Sequence, residues 1–357
     1  MERKNTRRIY CGGVVIGGGA PVTIQSMTNT DTRDVKSTVN QIRRLAEAGC
    51  QIVRCAVPDA EAAAALGQIK KQITLPLVAD IHFDYRLAIS AMENGADKIR
   101  INPGNIGGKE RISAVLAAAK ARNIPIRVGV NSGSLEKELI YKYKGVTAEA
   151  LAESAVNTVA YIEELGFEDI VVSLKSSDVQ LNYNAHLLAA ERLDYPFHIG
   201  LTESGSPKRG KLKSAVGMGA LLLCGIGDTL RVSLTGDPVE EVVFAKELLQ
   251  AAGIRKIPVD VISCPTCGRT RVDLVKIVEE LEEKMVPIAE AREKAGKQPI
   301  TVALMGCEVN GPGEAKEADF GVACGKDSGL IFEKGQPVGN CPSHEITETL
   351  LKMMENA

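Results

Sequence analysis

The chain has 357 residues, 45% of them hydrophobic, and a formal net charge of −2, which is long enough for two domains and apolar enough for a large core. That charge gives no global attraction for nucleic acid or an anionic membrane, so neither is expected as a partner, and an anion must be held by local clusters. The basic stretch 1–10 lacks the apolar region of a signal peptide, no run is long enough to span a bilayer, and nine scattered cysteines argue against a disulfide framework; the chain reads as cytoplasmic and reduced.

Glycines 12, 13 and 17–19 precede the first β-rich run and read as a hairpin-like entry rather than a phosphate loop. Eight β-rich runs follow, at 22–28, 52–57, 77–81, 98–101, 124–130, 169–174, 197–202 and 229–234. Helix-like segments lie between them. Residues 35–50 place Val39, Ile42 and Ala46 on one face and Arg43, Arg44 and Glu47 on others, and 147–165 and 239–252 read alike. Gly49, Gly95 and Gly166 stand where helices end before the next strand. Eight β-then-α units predict an α/β fold of the (β/α)8 TIM-barrel type. A doubly wound sheet would need a G-x-G-x-x-G after its first strand, where Asn29-Thr30-Asp31 stands instead. The barrel is expected over 1–253 as a substrate domain. A smaller α+β domain is expected over 254–357, with strands at 254–261, 300–305, 322–324 and 329–332 and helices at 274–295 and 345–355.

Barrel active sites form at the C-terminal ends of the strands. Those ends carry Gln25, Ser26 and Asn29; Arg54; Asp80 and His82; Arg100 and Asn102; Arg127 and Asn131; Lys175; Thr202 and Glu203; and Arg231 and Ser233. Five cations come from five strands. A buried cation is costly unless paired, so their convergence implies a polyanion, most simply a diphosphate gripped by arginine forks. Ion pairs with Asp80, Glu203 or Asp84 are the alternative for any one of them. His82 suits a phosphate donor or proton relay, Asp80 an orienting role, and Glu203 either charge balance or a general acid. The run Lys208, Arg209, Lys211 and Lys213 reads as a solvated loop or helix start.

In the second domain Cys264-Pro265-Thr266-Cys267 is joined by Cys307, with Glu314 in the loop beyond it. An iron–sulfur cube needs a ligand on each of four irons; three thiolates leave one position, for which Glu314 is the candidate. A zinc knuckle would want a fourth Cys or His at short spacing, and Cys324 and Cys341 lie far from a second C-x-x-C. A redox dithiol would not need Cys307. With zinc, the chain would be a redox-neutral barrel lyase on a phosphorylated substrate; without catalysis, an electron carrier or metal-sensing module.

Together these residues resemble the bacterial 4-hydroxy-3-methylbut-2-enyl diphosphate synthases of the non-mevalonate isoprenoid pathway. The resemblance is carried by Cys264-Pro265-Thr266-Cys267-Gly268-Arg269, Met305-Gly306-Cys307-Glu308-Val309-Asn310-Gly311-Pro312-Gly313-Glu314, Ala79-Asp80-Ile81-His82-Phe83, Arg100-Ile101-Asn102-Pro103-Gly104-Asn105, Arg127-Val128-Gly129-Val130-Asn131 and Gly225-Ile226-Gly227-Asp228-Thr229-Leu230-Arg231-Val232-Ser233. It implies a TIM barrel followed by an iron–sulfur domain. It also implies reductive ring opening and dehydration of 2-C-methyl-D-erythritol 2,4-cyclodiphosphate, with two electrons delivered through a [4Fe-4S] cluster on Cys264, Cys267, Cys307 and Glu314. The resemblance assigns diphosphate binding to Arg54, His82, Arg100, Arg127, Lys175, Arg231 and Ser233, hydrogen bonding to Asn102 and Asn131, site shaping to Asp80, and proton donation to Glu203. It implies flavodoxin or ferredoxin as electron donor. It also points to a head-to-tail homodimer, because the last helix of a barrel ends at the face opposite its mouth. Cys11, Cys50, Cys55, Cys224, Cys324 and Cys341 match no family role.

Overall fold

The early glycines turn a hairpin in which β1 (Ile9–Cys11) pairs antiparallel with β2 (Val14–Ile16). Eight parallel strands follow: β3 (Thr23–Met27), β4 (Ile52–Ala56), β5 (Leu77–Asp80), β6 (Lys98–Ile101), β7 (Ile126–Asn131), β8 (Ile170–Lys175), β9 (His198–Ile199) and β10 (Thr229–Leu230). They hydrogen-bond in the order β8-β7-β6-β5-β4-β3-β10-β9, and a parallel bridge between Val172 and Phe197 joins the two ends. The sheet is thus a nearly closed TIM barrel, as the eight β/α units predicted. The computed structural model describes residues 2–308 and 317–357, and the chain divides into two units, Met1–Arg255 and Lys256–Ala357.

Aspartates start many of the barrel helices. Asp34, Asp59, Asp84, Asp178 and Asp237 each accept a bond from an amide of the first turn, which satisfies an otherwise orphaned donor. Helix Val35–Glu47 buries Val39 and Ile42 and exposes Arg43, Arg44 and Glu47 as its spacing predicted, while Leu45 completes the buried face and the expected Ala46 is only half-buried. The outward residues of the strands, among them Ile99, Ile101, Ile126, Val128, Ile170 and Val172, join the helices in one apolar core. At the N-terminal end of the barrel, the hairpin residues Cys11 and Ile16 pack on Ile52 and Val78 as an apolar floor. Helix Pro238–Ala251 ends this unit, and beyond it Arg255 Nη2 donates to Val22 O at 3.3 Å and Gln51 Oε1 at 2.6 Å.

β9 and β10 are shorter than their apolar runs suggested. At Gly200 the backbone approaches Arg231 so closely that a Cβ would stand 2.7 Å from its carbonyl oxygen. Three residues later Glu203 takes a left-handed φ of 53°, so the chain turns away from the ladder.

The second unit is a five-stranded sheet in the order β11 (Val259–Ser263), β12 (Ile300–Met305), β13 (Phe320–Cys324), β14 (Ser328–Glu333) and β15 (Gln336–Pro342). The first three strands are parallel and the remaining pairings antiparallel. Helices Leu274–Lys294 and Ile346–Asn356 pack Leu274, Leu281, Ile346, Leu350 and Met354 onto Val302, Leu304 and Val322. The first strand begins later than expected. The amides of Ile254 and Arg255 still bond to Leu249 O at the helix end, and Pro258 has no amide to give a ladder. β15 was not expected, because its two prolines and a glycine hide a strand that only an edge tolerates. Among the described residues, no helix is long and apolar enough to cross a membrane.

Candidate active site

Successive residues of a strand point to opposite faces. The inward set of this barrel is mostly polar: Thr23 and Gln25 on β3, Arg54 on β4, Asp80 on β5, Lys98 and Arg100 on β6, Arg127 on β7, Ser173 and Lys175 on β8, His198 on β9, and Thr229 on β10, with Arg231 just beyond. At its C-terminal end a cavity of about 210 Å³ is lined by Arg54, Asp80, His82, Arg100, Arg127, Asn131, Lys175, Thr202, Arg231 and Ser233 from the sequence-based set, together with Ser173 and Leu201. That is the room of about seven waters, small enough that a ligand inside touches several walls at once.

Five cations in that wall face one carboxylate, Asp80. Asp80 takes Arg100 Nη1 at 3.1 Å, His82 Nε2 at 3.3 Å and Arg54 Nε at 3.9 Å. Burial works to raise its carboxyl, but Arg54, His82 and Arg100 outweigh burial and hold it below the ordinary carboxylate range. Arg54 also donates to the Met27 thioether from Nη2 at 2.8 Å. Gly129 gives Arg100 its place, since a Cβ there would stand 3.0 Å from the guanidinium Nε. Arg231 is drawn to Glu241 at 3.5 Å, and the same buried carboxylate accepts the Leu234 amide at 2.9 Å. Arg127 is fully buried and none of its three guanidinium nitrogens has a partner among the described residues. Burial and the neighbouring cations push both Arg127 and Lys175 well below their ordinary values. Such an excess of desolvated positive charge costs free energy until an anion enters.

Gln25, Ser26 and Asn29 of the strand-end set stand outside this wall, and so do two residues to which the resemblance gave a role, Asn102 and Glu203. Asn102 is buried beside it and donates from Nδ2 to Ser134 Oγ at 2.8 Å. Glu203 lies on the turn after β9 with its side chain exposed, so it is not the charge partner of the buried cations. Sequence reasoning missed Met27, Ser173 and Glu241. Ser173 shares its strand face with Lys175 and was legible by alternation, whereas Glu241 comes from a helix and no local pattern announces it. Lys208, Arg209 and Lys213 are exposed on helix Pro207–Leu223, as the solvated reading expected.

In the second unit Cys264 follows β11 directly and Cys307 stands two residues beyond β12, which runs parallel to it with Ser263 opposite Leu304. The Gly306 amide donates to Cys264 Sγ at 3.2 Å, and the Arg271 amide donates to Gly306 O at 2.9 Å, which ties the two turns together. Backbone bonding at Arg269 lowers the exposed Cys267 thiol toward thiolate. Three cysteines on adjoining turns, one already accepting an amide bond at sulfur, are the donor chemistry of a soft metal cluster. Among the described residues, however, no three His, Cys, Asp or Glu side chains are gathered closely enough to hold a metal ion, and Glu314 lies outside the described residues. Cys324 is buried and pushed up to about 12 by burial, so it stays a thiol.

A family model described as the GcpE TIM-barrel domain matches residues 6–246, and one described as the GcpE protein C-terminal domain matches residues 260–356. Three relatives carry the name 4-hydroxy-3-methylbut-2-en-1-yl diphosphate synthase (flavodoxin). That of Caldanaerobacter subterraneus subsp. tengcongensis is 56% identical over 353 residues, covering 99% of this chain and 97% of its own. That of Clostridium perfringens is 55% identical over 355 residues, 99% of both chains. That of Clostridium acetobutylicum is 54% identical over 356 residues and all of both chains.

Proposed function

The chain belongs to the GcpE family, and on that premise we propose how it performs the reaction its relatives are named for. The reaction is the reductive ring opening and dehydration of 2-C-methyl-D-erythritol 2,4-cyclodiphosphate to 4-hydroxy-3-methylbut-2-enyl diphosphate in isoprenoid biosynthesis. The observation that carries the reading is the cavity in which five cations face one carboxylate. A cyclic diphosphate supplies the missing negative charge in a compact shape. Arg54, Arg100, Arg127 and Arg231 grip its phosphate oxygens as forks, Lys175 adds a point charge, and His82 and Ser233 donate hydrogen bonds. Asn102 and Asn131 orient the ligand by hydrogen bonding. Asp80 remains ionised and keeps Arg54, Arg100 and His82 aimed.

The barrel unit is then the substrate domain and the following unit the cluster domain of a cytoplasmic enzyme. When bound, a [4Fe-4S] cluster on Cys264, Cys267, Cys307 and Glu314 supplies the two electrons one at a time, with reduced flavodoxin as donor and ferredoxin as the alternative. Glu203 gives the proton with which the substrate hydroxyl departs as water. Its side chain is exposed on the turn directly after Thr202, which lines the cavity. As a general acid Glu203 acts after binding, so Glu203→Gln is expected to keep cyclodiphosphate affinity and lose turnover by at least about a hundredfold. Intact turnover, or lost binding, would remove the acid role from Glu203.

A head-to-tail homodimer belongs to the same reading. The last barrel helix returns the chain to the N-terminal strand ends, where Arg255 is fixed on Val22 and Gln51, opposite the cationic mouth. In a dimer each barrel would receive the cluster of its partner. Mixing inactive Arg54→Ala subunits with inactive Cys307→Ala subunits under exchange is expected to restore activity. No recovery in a demonstrated heterodimer would contradict the composite site.

A further inference from the structure

The cationic mouth stands on a second polar layer. Lys98 precedes Arg100 by two residues on β6, about 6.6 Å deeper in the barrel at about 3.3 Å per residue. It is fully buried, and its Nζ has no hydrogen-bond partner among the described residues. His198, facing inward from β9, is also fully buried with neither ring nitrogen partnered. The hydroxyls of Thr229 and Thr23 lie beside it in the strand register and are equally unpartnered. Arg127 is the register partner of Arg100, and Lys98 stands opposite Val78 of the apolar floor, which also holds the buried Cys11 thiol.

An ammonium in this place bears two costs. It has lost its water, and it is repelled by Arg54 and Arg127, with Lys175 and Arg231 further along the wall. Asp80, the carboxylate of that wall, is already shared by Arg54, Arg100 and His82. Giving up a proton relieves both costs, and lysine can do so where arginine cannot. A dianion arriving in the mouth reverses the repulsion.

We propose that Lys98 is a proton-exchanging charge reserve beneath the mouth: it releases its proton from the empty barrel and regains it when the diphosphate binds, so that substrate binding takes up a proton. The proposal rests on the diphosphate reading of the cavity. Burial, and with it Arg127 and Arg54, push the Lys98 ammonium down to about 8. Burial raises the Cys11 thiol and keeps it neutral, and burial with the surrounding cations holds His198 well below its ordinary value, so that it too stays uncharged. Below pH 7 Lys98 is therefore charged with or without ligand, and nothing is exchanged. As pH rises through about 8 the empty barrel progressively loses the proton that the filled barrel keeps, so affinity falls as pH rises.

Calorimetry on the oxidised holoenzyme, without reductant and hence without turnover, tests this. The probe is the cyclodiphosphate itself, whose phosphorus atoms each carry a single strongly acidic oxygen and so exchange no proton near neutrality. Titrations at pH 8.5 in two buffers of different ionisation enthalpy give the protons taken up. The wild type is expected to take up roughly three-quarters of a proton per site more than Lys98→Met, and its Kd to rise more steeply between pH 8 and 9.5. Lys175 contributes equally to both proteins and cancels in the difference. Lys98→Arg, which keeps the charge but cannot release it, is expected to lack the same uptake while retaining affinity. Uptake equal to wild type in either variant, or no uptake in the wild type, overturns the proposal. Absence of any cyclodiphosphate binding at pH 7 overturns the diphosphate reading and the proposal with it.

Discussion

The two faces of the same barrel strands are buried alike and behave oppositely. On β6 and β7 the outward residues Ile99, Ile101, Ile126 and Val128 are wholly enclosed by helices, and the inward Lys98 and Arg127 are also 0% exposed. Each apolar side chain gains about 25 cal/mol per Å² removed from water. Each inward cation loses its hydration and regains little before a ligand arrives. Most TIM barrels fill this interior with Val, Ile and Leu; here the apolar filling is mainly the floor of Cys11, Ile16, Ile52 and Val78, with Val171 inward on β8. The difference teaches that this barrel draws its stability from the outside of its sheet and holds the inside ready for an anion.

Single substitutions on the two faces sharpen that contrast. Ile126→Ala removes outward packing and is expected to cost about 2–5 kcal/mol of unfolding free energy, read by denaturant titration, while the folded protein binds cyclodiphosphate with unchanged Kd. A comparable loss of affinity in the folded protein would mean that the faces are not separable. Glu241→Gln probes the seam between them, because this buried helix residue holds Arg231 and the Leu234 amide. The amide acceptor survives in glutamine and the charge does not. Affinity is expected to weaken by roughly fivefold, about 1 kcal/mol, with stability nearly unchanged. An unaltered Kd would make Glu241 a fold residue only.

Much of this division was legible in the sequence. The eight strands and their cations at the C-terminal ends followed from β/α periodicity and strand alternation, and the cavity gathers Arg54, Arg100, Arg127, Lys175 and Arg231. Lys98 and His198 escaped notice because attention to strand ends passes over strand starts, although inward alternation places them under Arg100 and beside Thr229. Met27 and Glu241 meet the arginines only when the sheet closes and helix Pro238–Ala251 packs against β3, and neither has a signature of its own. Glu203 shared the position of the cations at a strand end but not their burial, since its left-handed turn carries it outward. In the second unit the spacing of Cys264, Cys267 and Cys307 marked the turns correctly, and the missing strand β15 reflects a proline-bearing edge without an apolar pattern.

Arg127→Met tests the central claim most directly, because Arg127 is next to Ile126 in sequence and on the opposite face. Cyclodiphosphate affinity and unfolding free energy are measured on the same preparation. The account expects affinity to fall by about ten- to hundredfold, from the loss of a charge-assisted contact of roughly 1.5–3 kcal/mol, while the empty protein becomes no less stable, because an unpaired buried cation has been replaced by an apolar chain of similar length. Unchanged affinity together with marked destabilisation would contradict it, and would make the inward arginines part of the core rather than a site built for an anion.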